Sequence, residues 1–235
     1  MTFLSRLGLA RRGGVQNKCS GGAIKHYSLE KWWFSELSED DRILIRSRYK
    51  PLGMKPGEDV LTGRGEFASP QTTAMWLTVL ARWFKPALAK ESDLILRIAD
   101  KAWEVKDVLA PSSGADAVFS RHLALGKLSE IYYRFRESPE YLERSLEAAR
   151  LQIAMQAAAA TAFRQQEIET ARVLGLPPPD PIILPTHQGY TRMAIVLEKK
   201  KQFNQALNLV REAQAAEWSG DWEKRVQRLE QRLNE

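Results

Sequence analysis

The chain has 235 residues, 44% apolar and 27% charged, which sets it among globular rather than disordered proteins, with length for one large domain or a domain plus an appendage. No run reaches the roughly 18 apolar residues a membrane span requires, and the single cysteine, Cys19, excludes an intramolecular disulfide and a cysteine-rich zinc site. The net charge of +6 is uneven: Met1 to Leu29 holds no acidic residue against Arg6, Arg11, Arg12, Lys18 and Lys25.

Residues 1–27 read as a flexible basic tail, because Gly13, Gly14, Gly21 and Gly22 interrupt any helix there. The same lack of acid fits an organelle-targeting segment, or an arm that touches nucleic acid or an anionic membrane by charge. Arg6 breaks the only apolar run a secretory signal would use. With one cysteine, a reducing, cytoplasmic compartment is the simpler expectation.

Residues 28–68 are expected to form a helical hairpin and a loop. Ser28 caps a helix bearing Leu29, Trp32, Trp33 and Leu37, and Ser38-Glu39-Asp40-Asp41 starts a second one that Pro51 and Gly53 end. Three adjacent aromatics, Trp32, Trp33 and Phe34, diverge by about 100° per residue on an α-helix and cannot all face one core. Trp33 is therefore an aromatic anchor for a partner chain or a docking residue for the rest of the protein. Arg42, Arg46 and Arg48 on the second helix are candidates for nucleic-acid contact. Met54 to Ala68 is a glycine-bearing loop without the Gly-Lys-Ser/Thr of a phosphate loop.

Residues 69–235 read as a helical domain. Ser69-Pro70 restarts a helix with Ala74, Leu77, Leu80, Ala81 and Phe84 inside. A second carries Leu94, Ile95, Ile98, Ala102, Val105 and Leu109, and a third, after Pro111 to Gly114, carries Phe119, Leu123, Leu128, Ile131, Tyr132 and Phe135. From Ser138-Pro139 no Gly or Pro intervenes until Gly175, so one helix of about 36 residues, about 54 Å long, is expected. Its Ala157 to Ala160 run suits close helix packing. Pro177 to Pro179 open a linker to Pro185. No β-strand pattern is evident, and the class is all-α.

Thr186 to Ala213 carries two matched stripes. Thr186 caps the first helix; Tyr190, Met193, Ala194 and Leu197 share one face, and Phe203, Ala206, Leu207, Val210 and Ala213 form the second. Here the sequence resembles the tetratricopeptide repeat (TPR) family, with Lys201 standing where the family often has a turn glycine. One clear repeat covers 186–219. A degraded one near 120–153 runs from Leu128-Ser129-Glu130-Ile131-Tyr132-Tyr133 to Tyr141, Ser145, Leu146 and Ala149, with about three residues inserted at 137–140. Gly220 suits a left-handed turn and Asp221 a cap for a closing helix with Trp222, Val226, Leu229 and Leu233.

The resemblance implies an irregular TPR-like stack, a right-handed α-solenoid, behind the N-terminal helical hairpin. It also implies an inner groove lined by Gln188, Thr191, Ile195, Glu198 and Lys199, and by Leu123, Lys127, Glu130, Tyr133 and Arg134. Thr191 and Ile195 replace the Lys and Asn with which some members grip a terminal carboxylate, so that activity is not expected. His26, His122 and His187 lack metal-ligand spacing, with His122 expected in a core or at the surface and His187 at the surface. No metal or cofactor is expected. The leading expectation is a non-enzymatic adaptor or scaffold for a protein or peptide. The alternatives are a nucleic-acid-associated protein using the basic tail with Arg42, Arg46 and Arg48, and an enzyme whose site is assembled from dispersed residues.

Overall fold

The computed structural model describes residues 21–55 and 57–234. The basic cluster up to Lys18, and Cys19 with it, lies outside the described residues. Helices dominate: α1 (Gly22–His26), a π-helical turn (Trp32–Glu36), α2 (Glu39–Arg48), α3 (Thr73–Ala81), α4 (Ala89–Glu104), α5 (Gly114–Arg134), α6 (Pro139–Ala154), α7 (Gln156–Val173), α8 (Gln188–Lys199), α9 (Phe203–Ala215) and α10 (Trp222–Asn234). None of these is long and apolar enough to cross a membrane. One short parallel pairing, β1 (Leu184–Thr186) with β2 (Trp218–Ser219), was not foreseen. Two- and three-residue strands are too brief to leave an alternating pattern.

The ordered chain begins earlier than the charge pattern implies. Gly22 adopts a left-handed φ of 72° and packs on the 59–65 loop, where a β-carbon would collide with the Leu61 carbonyl. Ala23 and Ile24 are buried and donate their amides to Val60 and Leu61. Ser28, rather than capping a helix, takes φ 55° after α1, and the next turn is π-helical, closed by Leu37 N–H to the Trp32 carbonyl at 3.1 Å.

The second N-terminal helix follows its sequence signal closely. Ser38 Oγ accepts from the Asp41 amide while the Asp41 carboxylate accepts from the Ser38 amide, a complete capping box. Asp41 also takes both guanidinium nitrogens of Arg97 on α4, at 2.5 and 2.8 Å. Arg48 places two guanidinium nitrogens on a single oxygen, Oε1, of the buried Glu91 of α4, at 2.6 and 3.1 Å. These two pairs fix α2 across α4 with a geometry that a lysine does not reproduce.

Beyond the loop, α3 starts at Thr73 with Thr72 as its cap, three residues later than Ser69-Pro70 suggests. The helices then pack pairwise. α3 lies against α4, α5 against α6, and α8 against α9; α5 also touches α3 and α4, α8 also touches α5 and α6, and α10 closes against α9.

The expected long helix is two helices, broken at Met155 (φ −101°, ψ 8°). Both halves pack on α5. At the bend Gln156 turns toward β2, where Trp218 Nε1 donates to Gln156 Oε1 at 3.0 Å. Tertiary packing, with no glycine or proline to announce it, sets this break.

Two large hydrophobic cores flank α5, with a small third cluster of Ala74, Met75 and Ala124 between α3 and α5. One joins Ile24, Trp32, Trp33, Leu61, Trp76 and Leu94 with Leu128 and Tyr132 of α5; the other joins Phe119 of α5 with Ala160, Tyr190, Ala206, Val210, Trp218 and Trp222. In the α8/α9 pair Ala194 and Ala206 are fully buried, as close helix approach requires. Lys201 holds the turn between them in the left-handed conformation, φ 57°. Past α9 the left-handed residue is Glu217 (φ 62°), not Gly220. The role of Gly220 is steric, because a β-carbon there would strike the Trp222 indole.

Candidate functional site

The faces of α5 and α8 that meet each other gather cations around one tyrosine. Tyr133, in the last turn of α5, is half-buried. The Arg192 guanidinium of α8 lies 3.7 Å from its ring centroid and that of Arg136 lies 4.8 Å away. Lys199 Nζ is 5.7 Å from the centroid and donates to the phenol oxygen at 3.2 Å. A phenol ring offers a negative face to cations, and an arginine stacked on it is held in one orientation.

The charge around this ring is poorly neutralised. Arg134 pairs with Glu130 at 2.8 Å and Arg136 approaches Glu137 at 3.9 Å. Among the described residues no carboxylate lies within ion-pair distance of Arg192, Lys199, Lys127 or Arg82. Burial pulls the Lys127 pKa below the ordinary lysine value, with repulsion from Arg82 adding to it; burial likewise lowers that of Arg192, with Arg136 repelling it. Arg192 Nε is buried and has no hydrogen-bond partner among the described residues.

Of the residues expected to line a groove, Tyr133, Arg134, Ile195 and Lys199 belong to this face. At about 100° per residue, Ile195 and Lys199 fall within about 60° of Arg192, and Glu198 lies about 120° round the helix. Glu198 accordingly points to α10, where it binds Arg225 and Arg228, each at 2.8 Å. Thr191 Oγ1 donates to the His187 carbonyl of its own helix at 3.2 Å, and Gln188 is half-buried in the first turn. Arg192 was not among the expected residues. Its position seven before Lys199 and three before Ile195 is the signal that places it there.

Trp33 is not an exposed anchor: its exposure is 0%. The π-helical turn adds a residue to the i→i+5 ring, so successive side chains fan through a smaller angle than on an α-helix, and Trp32 and Trp33 both reach the core. Arg46 stands over the Trp33 ring at 5.1 Å and donates to Thr62 Oγ1 at 3.0 Å. Arg42 donates to the carbonyls of Trp33 and Leu37, and Arg48 is held by Glu91. All three arginines named as nucleic-acid candidates thus have partners within the protein.

His187 is fully buried, in contrast to its expected surface position, because it rather than Thr186 caps α8: its Nδ1 accepts from the Tyr190 amide at 3.3 Å. His122, 1% exposed, meets it edge to face at 4.8 Å between ring centroids, and Trp218 stacks on His122 at 4.9 Å. Gln152 bridges α6 to both neighbours, donating to the His122 carbonyl at 3.1 Å and accepting from the Gly189 amide at 2.7 Å. Burial pushes the His122 pKa down to about 3, with His187 beside it contributing, and burial pushes that of His187 to about 4. Two neutral imidazoles walled in by aromatic rings have no route to a substrate, so their chemistry is structural.

Among the described residues no three His, Cys, Asp or Glu side chains converge as metal ligands would. An open groove of ≈ 600 Å³ lies between the start of α5 and α7, lined by Ser113, Asp116, Gln166, Thr170, Val173 and Leu174. Across it Gln166 Nε2 donates to Asp116 Oδ1 at 2.5 Å. Comparison of the chain with models of protein families, with curated proteins and with solved structures finds no match.

Proposed function

We propose that this chain is a non-enzymatic interaction scaffold: a TPR-like stack of three helical pairs, α3/α4, α5/α6 and α8/α9, closed by α10, that binds a partner protein through the joint face of α5 and α8. The observation that carries this reading is the cluster around Tyr133. It is contributed by the first helices of two successive pairs, and it leaves Arg192 and Lys199 without a carboxylate partner among the described residues. The order of contacts supports the stack, since the first helix of each later pair touches both helices of the pair before it. The engagement of Arg42, Arg46 and Arg48 within the protein favours this reading over one in which they grip nucleic acid.

The test is affinity capture from the host with the intact chain and with the double variant Tyr133→Ala/Ile195→Glu. The expected result is a defined set of co-purifying proteins lost from the variant while its circular dichroism stays that of the parent. Identical capture profiles for the two chains overturn the assignment of the binding face.

A further inference from the structure

The partner surface carries its own indication of what it recognises. Four cations, Arg134, Arg136, Arg192 and Lys199, gather at the Tyr133 end of α5 and the facing side of α8, and Lys127, earlier on α5, with Arg82 near it, adds two more. Glu130 and Glu137 are the carboxylates within ion-pair distance of any of them among the described residues. Keeping like charges together against their repulsion is destabilising unless something neutralises them.

We propose that this face binds an acidic segment of a partner polypeptide, through Asp and Glu side chains that reach Arg192 and Lys199; this rests on the scaffold reading above. Three features favour a peptide over a nucleic acid, the other polyanion such a patch would attract. The Tyr133 ring is already covered by Arg192 at 3.7 Å, so the base-stacking platform typical of single-strand binding is not free. Ile195 sits between Arg192 and Lys199 on the same side of α8, half-buried, which offers an apolar contact to a side chain and nothing to a phosphate backbone. Finally, Glu130 and Glu137 lie within the patch, where they would repel a continuous phosphate ladder, whereas carboxylates spaced along a peptide can fall between them. Arg192 is the preorganised member. Stacking on Tyr133 fixes its planar fork, which matches a carboxylate with two parallel hydrogen bonds.

The experiment uses the full chain, immobilised, to select from a display library of short random linear peptides. Three variants run in parallel: Arg192→Glu, Lys199→Glu and, away from the patch on α7, Arg172→Glu. The expected outcome is enrichment of Asp- and Glu-rich peptides on the parent and on Arg172→Glu, with affinity falling on the order of tenfold or more on Arg192→Glu and Lys199→Glu. Binding of a selected peptide should also weaken as salt is raised. Lys199 is exposed, so its variant answers the question even if Arg192→Glu folds poorly. Peptides selected without any excess of Asp or Glu overturn the acidic assignment and leave the scaffold standing. No selection on the parent above Lys199→Glu overturns both. A single-stranded oligonucleotide that displaces the selected peptides and loses binding on Lys199→Glu reassigns the face to phosphates and also overturns the proposal.

Discussion

The two sides of α5 are held by different means. On the N-terminal side Tyr27, Trp32, Trp33, Tyr49 and Trp76 fill a core by volume, with Tyr27 stacked on Trp76 at 4.9 Å. On the C-terminal side the junction of α5, α6 and α8 is built from Gly126, Gly189, Ser129, Ser145, Gln152 and the two histidines. There close approach and hydrogen bonds through Gln152 replace bulk, while His122 Nδ1 and His187 Nε2 are buried without a partner among the described residues. The first arrangement punishes cavities. The second punishes added atoms and added protons, because neither a methyl group nor a charge has room.

The largest expected effect tests the aromatic side. Trp33→Ala removes a fully buried indole and should cost about 3–5 kcal/mol in denaturant unfolding. A loss under about 1 kcal/mol would show that the π-helical turn is not held by this packing.

Next comes pH, which should act on the other side alone. Free histidine titrates near 6.5, while folding lowers His122 to about 3 and His187 to about 4. Between those values the unfolded chain binds protons that the folded chain refuses, so stability must fall as pH drops from about 6.5 toward 4 and be flat just above 7. Each imidazole that stays neutral contributes about 2 kcal/mol between pH 7 and pH 5. The carboxylates lowered by folding, Asp41, Asp59 and Glu91, act only at lower pH. Equal urea midpoints at pH 7 and pH 5 would refute the buried-neutral assignment, and His187→Asn, which keeps a capping side chain, should shrink the slope.

The smallest effect sharpens the steric half of the contrast. A β-carbon at Gly126 would lie 2.5 Å from Gln152 Nε2, so Gly126→Ala should cost about 1–3 kcal/mol despite the better helix propensity of alanine. A stabilised Gly126→Ala, read by thermal melting, would mean that the junction has slack.

These differences track what local sequence encodes. The stripes of α8, α9 and α10 and the Ser38 cap were readable because each is a short-range pattern with a fixed period or spacing. The pair α3/α4 was readable as helices, but its place as a neighbour of α5 was not, since neighbourhood is set by contacts distant in the chain. Helix α1 has five residues and begins at a glycine, too short to show a period. The meeting of His122, Gln152 and His187 joins three helices and has no linear signature. For the candidate site, Tyr133, Ile195, Glu198 and Lys199 were expected only through the repeat resemblance; that Glu198 is taken up by Arg225 and Arg228 of α10 is a long-range contact with no local signature.

The β1–β2 pairing has a consequence out of proportion to its length. Leu184 is paired with Trp218 and Thr186 with Ser219, so the chain containing α8 and α9 leaves and returns at one point. That point is further tied to α7 by the bond from Trp218 to Gln156. The last helical pair is thus a closed loop hung on a clasp, and the entropy of closing such a loop rises only with the logarithm of its length. A protease that nicks the exposed Lys199–Lys200–Lys201 turn would cut the loop without opening the clasp. The two fragments would stay joined through the strands and α10, and α8 would keep its packing on α5 and α6.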